Sequence, residues 1–528
     1  MKKYIVFLFL VLLFIVGCTE KTPEISQAYE RKELVLAIGG EPEGFDPTTG
    51  WGRYGSPLFQ STLLSRDQDL QITTDLATAY EVSDDGLIWT ITLRKDAKFS
   101  DGNDVTIKDV MFTFNQAKHS QSIVDLTNLA EMKEIDTYTI EFHLKKPQST
   151  FVTVLQTLGI VPAHLYDETY AEEPIGSGPY TFVEWRKGEQ LIVERNPYYY
   201  GKKPEFERLV FLFAEEDQAL AQAKAGLIDV LSLPISYAQT EITGMKRLSL
   251  QSVDNRGVML PTTAPYVNEK NEEIGNVVTQ DIAIRQAMNY AVDRQAMVDG
   301  ILNGEGTEAY SSVDQLPWGT DEARIEHDVT KAHTIMNKAG WDKKADGIYE
   351  KDGVRASFTL YYPSGDQMRQ SLSLVFADQM NQFGIEVKTA SESWNELDKL
   401  MHANPVMMGW GSHDPIELYY LFGSEMKGID YYNSNYYENE VVDEYLTKAI
   451  HATSDVEANQ YWQSIQWDGN TGVSAKGDAP WVWLVNLNHI YYINEEIDIG
   501  QQKIQPHGHG WPITDFITEW HDSSDKKK

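Results

Sequence analysis

Three of the chain's 12 histidines, His507, His509 and His521, lie in "QPHGHGWPITDFITEWH" (505–521). A neutral imidazole is a good ligand for Ni²⁺ and other divalent metals. Flanking glycines let the backbone place a ring with little steric restriction. On an extended strand, side chains at i and i+2 point the same way but stand roughly 6–7 Å apart, so they seldom share one ion. A Gly-rich turn relaxes that restriction, which makes His507 and His509 the candidate metal ligands and leaves His521 to the tail.

Other chemistry is narrowed by what the sequence lacks. It contains no "HExxH", no Gly-x-Ser-x-Gly elbow and no P-loop, and its carboxylate pair Asp84-Asp85 sits at a hairpin turn. The expectation is a binding protein, not an enzyme, with no cofactor of its own. A formal charge of −34 repels phosphate backbones and anionic lipid head groups, so nucleic acid is not expected as a partner. Hydrophobic residues at 42%, with 13 tryptophans and 28 tyrosines, describe a well-cored globular protein with many rings available for flat contacts. At 528 residues, at least two lobes are expected.

Membrane attachment has a separate source. Lys2 and Lys3 precede twelve apolar residues, Ile5 to Val16. That run is shorter than the roughly 20 residues needed to span a bilayer and fits a secretory signal. The segment ends "IVGC", and Gly17 before Cys18 resembles the lipobox of bacterial lipoproteins, in which the new N-terminal cysteine is lipidated. Cys18 is also the only cysteine, so no internal disulfide is available. A signal peptide over 1–17 and a polar tether over 18–33 follow from this reading.

The elements that must position any site read clearly in places. "ELVLAIGG" is an apolar run closed by glycines, a buried strand entering the long loop "EPEGFDPTTGWGRYGS". "DGLIWTITLRKDAKFSDG" and "YTIEFHLKKP" alternate apolar and polar residues between turn signals and predict antiparallel strands. Thr106 caps a helix over "IKDVMFTFNQAKH". "RLVFLFAEEDQALAQAKAGLIDV" predicts a buried strand and then a helix. From "TQDIAIRQAMNYAVDRQAMVDGILNG" onward, amphipathic helices alternate with strands such as "SFTLYYP" and "IEVKTA", an α/β pattern.

Several stretches together resemble the solute-binding proteins of ABC importers, the oligopeptide, dipeptide and nickel-binding family. They are "LATAYEVSDDGLIWTITLRKDAKFSDGNDVTIKDVMFTFN" (76–115), "PIGSGPYTFVEW" (174–185), "RNPYYYGKKPEFERL", "IRQAMNYAVDRQAMVDGILNG" (284–304) and "MMGWGSHDPIELYYLF" (407–422). The resemblance implies an α/β clamshell of two lobes with an extra antiparallel subdomain. The first lobe is expected over 34–262 and 485–522, with the subdomain at about 60–172, and the second over 263–484. It also implies a ligand held between lobes by hinge closure, and a permease with its ATPase subunits as partners. An extracytoplasmic, lipid-anchored monomer is expected; a solute-sensing signalling receptor is the alternative of another class.

For the ligand, two cargoes stay open: a nickel or other divalent-metal chelate, and a short peptide. "GWGSHDP" (409–415) and "HGHGWPITDFITEW" are similar to stretches that line the cleft in the nickel-binding branch, with His509 the best match. Arg369 stands where that branch places an arginine, and its planar fork suits a carboxylate, although pairing with an acidic residue on a helix surface is an equal use. Arg53 stands where one nickel-binding pattern has a histidine, which weakens direct coordination by the protein. His413 could donate to Asp414, and Asp414 with Arg369 could instead anchor the two ends of a peptide. Trp51, Trp410 and Trp511 could stack on a ligand or fill the core.

Overall fold

A computed structural model of the protein describes residues 32–55, 58–120, 124–508 and 510–524. Cys18, with the signal and most of the tether, and His509 lie outside the described residues. The strand foreseen at "ELVLAIGG" is Glu33–Ala37. It forms the middle of a seven-stranded sheet with order Met245–Leu250, His489–Asn494, Val230–Leu233, Glu33–Ala37, Arg208–Leu212, Gln190–Arg195, Tyr180–Arg186. Glu33–Ala37 is parallel to both neighbours, Arg208–Leu212 and Val230–Leu233. The carboxyl ends of these three strands therefore open at one edge, the place where open α/β sheets bind ligands.

A second sheet of six strands runs Gly306–Glu308, Trp481–Leu487, Asn255–Met259, Val406–Met408, Ser357–Pro363, Glu386–Glu392. The helices Ile282–Ala291 and Gln367–Phe383 place Ile284, Ala287, Met288, Leu372, Phe376 and Met380 in the core that includes Leu360 and Leu484. The seventeen-residue helix Gln367–Phe383 is started by Asp366, whose side chain accepts from the Arg369 N–H. The amphipathic helices expected from 279 onward begin as two, Ile282–Ala291 and Arg294–Gly300; Asp293 caps the second by accepting from the Ala296 N–H.

Between the first strands and the rest of the seven-stranded sheet lies a four-stranded antiparallel sheet, Ala77–Val82, Ile88–Leu93, Thr139–Leu144, Leu129–Asp136. The helix Ile107–His119, with its capping box of Thr106 and Asp109, presses Val110 and Phe114 onto it, and Phe114, Phe142, Phe151 and Trp89 form one core.

The chain passes between the two large sheets twice, from Leu250 to Asn255 and from Leu487 to His489. These crossings lie side by side: the Leu487 N–H donates to Asp254 O at 2.8 Å, and Ser252 Oγ donates to Leu487 O. A third strap joins them, since the Val253 N–H donates to Gln505 O at 2.9 Å.

Candidate functional site

Two glycines fix the wall of the second lobe. Gly409 and Gly411 pass so close to the crossing strand that a Cβ at Gly409 would sit 2.2 Å from Asn255 O and one at Gly411 would sit 2.2 Å from Val253 O; Gly411 also has φ +143°. Only glycine fits both places. Between them Trp410 is pinned on both backbone groups: its N–H donates to Asn255 Oδ1 at 2.9 Å, and its carbonyl accepts from the Asn255 N–H at 3.0 Å. The spacing in "GWG" is therefore what aims Trp410.

At the crossing itself the charges are compensated. Arg256 Nη1 and His507 Nδ1 both contact Asp254 Oδ1, and His489 Nε2 lies 3.5 Å from Asp254 Oδ2. Burial alone would raise the Asp254 carboxyl, but Arg256, His507 and the His489 contact hold it well below the usual carboxylate range. Arg369 is turned onto Asp366, one turn before it on the same helix, and its guanidinium stands 5.7 Å from the Trp394 ring. Burial and the Arg256 charge lower its pKa while Asp366 opposes them. Arg369 thus pairs with an acid, but with its side chain 12% exposed and not at the helix surface that was expected, and its Nε is buried without a partner among the described residues.

A cavity of about 770 Å³ opens at the carboxyl ends of the parallel strands, lined by Gly39, Glu41, Glu215, Glu216, Asp254 and His489, with Met368 facing it from the start of the helix Gln367–Phe383. Adjoining it, a cavity of about 360 Å³ lies between the loop carrying Trp51 and Arg53 and the loop carrying Gly508, Gly510 and Trp511. Of the rings foreseen as stacking surfaces, Trp511 is a core ring: it is 3% exposed and stacks on Phe211 at 4.4 Å. Trp51 meets Phe45 and Trp511 edge-on, at 5.0 and 5.3 Å.

Arg53 reaches toward the second lobe. Burial works against its charge, but Tyr54, Tyr432, Tyr420 and Asp414 hold its pKa above the ordinary value. Tyr420 and Tyr432 stack at 4.4 Å, and Trp410 lies 5.9 Å from Tyr432. Burial pushes the Asp414 carboxyl up to about 6, against the Ile416 N–H, Arg66 and Arg53. His413 does not serve Asp414. It lines a cavity of about 490 Å³ with Arg66 and Lys503 on another side of the Arg53 loop, and burial together with the charges of Lys503 and Arg66 drives its pKa well down. Among the described residues, no group of three or more His, Cys, Asp or Glu could hold a metal ion. His521 lies 3.6 Å from Asp498, at the tail.

The sequence reading passed over Glu417. The residue is 5% exposed, and burial pushes its carboxyl up to about 8 against the Gly411 N–H and Arg53. The signal was there: "IELYYLF" puts a lone acid at helical spacing with Leu418, Leu421 and Phe422, all buried. Asp254 and Arg256 were equally legible, as a charged pair inside the apolar run "VDNRGVML".

A family model for bacterial extracellular solute-binding proteins, family 5, matches residues 71–428. Protein XP55 of Streptomyces lividans is 33% identical over 490 residues, covering 88% of this chain and 86% of that one. The oligopeptide-binding protein AppA of Bacillus subtilis (strain 168) is 28% identical over 452 residues, 79% of this chain and 80% of that one. Among solved structures, NikZ of Campylobacter jejuni in complex with Ni(L-His) superposes with a TM-score of 0.77 at 24% identity, over 93% of this chain and 100% of that one. AppA of Bacillus subtilis in complex with a nonapeptide gives 0.69 at 25% identity, over 93% and 99%. With the two-lobed fold and the interlobe cavities in place, the match over most of the sequence assigns the chain to family 5 of the bacterial extracellular solute-binding proteins.

Proposed function

We propose that this protein is the receptor of an ABC importer and captures a short peptide, or an amino-acid-derived zwitterion of that size, between its lobes. The observation that carries this reading is the pair of adjoining cavities, about 770 and 360 Å³, which share Gly40, Glu41, Gly508 and Gly510. Glycine walls bring backbone donors and acceptors up to a ligand backbone. The charges are mixed along the length: Glu215 and Glu216 line the larger cavity, Arg53 the smaller, and Glu41 both. Peptide-binding relatives such as AppA support the same reading. The lobe limits we propose move from the expected 262 and 485 to about 252 and 488, because Asn255–Met259 and Trp481–Leu487 belong to the second sheet.

A metal chelate is the second reading, favoured by His489 and Asp254 at the wall of the larger cavity with His507 on the same carboxylate. Mass spectrometry and metal analysis of ligand co-purified with the protein decide between them. A set of short peptides without stoichiometric metal is expected; nickel in a one-to-one ratio with a carboxylate chelator overturns the peptide reading.

The attachment we propose is a lipid on Cys18, with the protein acting as a monomer outside the membrane and delivering its ligand to the permease and its ATPase subunits. No helix among the described residues is long and apolar enough to cross a membrane. Cys18→Ala is expected to move the protein from the membrane fraction to the soluble one; retention in the membrane argues against the lipid. Loss of solute uptake on deletion is expected, whereas intact uptake with altered signalling identifies a sensor.

A further inference from the structure

A small cavity of about 140 Å³ lies where the first lobe, its subdomain and the second lobe meet, lined among others by Trp51, Arg53, Thr153, Trp410, Glu417 and Tyr420. Its walls hold polar atoms with nothing to bind. Trp410 Nε1 and Glu417 Oε1 are buried and have no hydrogen-bond partner among the described residues. Such atoms are rare in native interiors, and each costs on the order of 1–3 kcal/mol.

Beside the acceptors Asp125 and Asp414 on the same wall, these two atoms and Arg53 form a group of donors. An indole N–H only donates. Glu417 Oε2 accepts from the Gly411 N–H at 3.1 Å, so the proton of the neutral acid falls to Oε1, the atom left without a partner, which is then a donor too. Arg53 adds a guanidinium, which only donates. A cationic ligand group would meet Arg53, and an apolar one would leave all the donors unpaired. A carboxylate, with two oxygens and about four lone-pair sites, satisfies them.

We propose that Arg53, Trp410 and Glu417 form a pocket for a carboxylate of the ligand, supplied either by a peptide C-terminus or by an acidic side chain. The inference rests on the peptide reading above and goes beyond it by naming the group that this corner selects. Glu417 serves as a hydrogen-bond donor, a role it keeps only while protonated, which its value of about 8 allows at neutral pH. Facing it are Arg53 and Tyr54 from the first lobe, Asp125 from the subdomain, and Asp414, Tyr419, Tyr420 and Tyr432 from the second lobe. Of these, Asp414 is occupied by the Ile416 N–H at 3.1 Å and draws on Arg66 as well as Arg53.

The test is calorimetric titration of the full chain with two matched pairs: Ala-Ala-Ala against its C-terminal amide, and Ala-Glu-Ala against Ala-Gln-Ala. In at least one pair the acid is expected to bind tenfold or more tighter than the amide at pH 6.5, and the pair that does so identifies the source of the carboxylate. That ratio is expected to fall at least threefold at pH 9, where Glu417 is ionised, and to stay flat with pH in Glu417→Gln, which keeps a donor. Trp410→Phe, which removes only the N–H donor and part of the ring, is expected to lower the ratio threefold or more at both pH values. Equal affinities within both pairs, or a ratio unmoved by pH and by both substitutions, overturn the pocket while leaving the peptide reading in place. Absence of binding for all four peptides overturns the peptide reading and the pocket with it.

Discussion

Two buried polar groups flank the same glycine-pinned segment and behave in opposite ways. Around Asp254, opposite charges meet: Arg256 and His507 contact its carboxylate, and Arg369 has Asp366. Around Glu417, Trp410 Nε1 and Glu417 Oε1 are buried without a hydrogen-bond partner among the described residues, although Asp414 and Asp125 line the same cavity. A compensated cluster at the crossing between lobes holds the chain's path; an uncompensated one at a cavity keeps its hydrogen-bonding capacity for something that arrives. The difference teaches that burial of charge does not by itself mark a ligand site, and that the balance of partners does.

Substitution can break that contrast. Asp254→Asn leaves Arg256 buried without its counter-charge and is expected to cost about 3–5 kcal/mol, read from urea unfolding; a loss below about 1 kcal/mol would mean that the cluster is not structural. Next is the response to pH. The Glu417 carboxyl is raised from 4.5 to about 8, so its contribution to stability is full below pH 4.5 and is lost as pH climbs through about 8, on the order of 3–5 kcal/mol. The Asp254 carboxyl is lowered, so its contribution is present above pH 3.8 and is lost on acidification. Unfolding free energy measured across pH should therefore show Glu417→Gln flattening the alkaline limb alone. A wild-type alkaline limb already flat between pH 5 and 9 would contradict the protonated Glu417.

A smaller effect is expected at the segment between the two groups. Gly411→Ala forces an L side chain to φ +143° with its Cβ 2.2 Å from Val253 O, and should cost about 1–3 kcal/mol by differential scanning or chemical unfolding. Wild-type stability in that variant would show that the wall yields. The smallest effect belongs to Arg53→Lys, which keeps the charge and loses the fork: stability within about 0.5 kcal/mol of wild type and affinity for the preferred peptide about threefold weaker, ~0.6 kcal/mol, by calorimetry.

What could be read in advance depended on the range of the interaction. Thr106 with Asp109, Asp293 before Arg294 and the alternation in "IWTITL" are local, so the helix starts at 107 and 294 and the strand Ile88–Leu93 follow from the chain itself. Trp51, Arg53, Trp410 and Asp414 were foreseen near the cleft, and they line two cavities that share the Arg53 loop. The fates of Trp511, stacked on Phe211, and of His413, lining a cavity with Arg66 and Lys503, were not legible, because a residue's type says what it can do and not what stands opposite it.

The sequence alone determined the family, the α/β alternation and the Thr106 helix cap, since each rests on local backbone preference or on an ordered pattern along the chain; the need for glycine at 409 and 411 comes from the crossing strand they press against. Only the tertiary structure decided which polar groups found partners. Asp254 meets His489, 235 positions away, and His507, while Glu417 Oε1 meets none among the described residues. Pairing is a property of space, set where the two sheets exchange the chain, and it separates charges that hold this protein together from donors kept for its ligand.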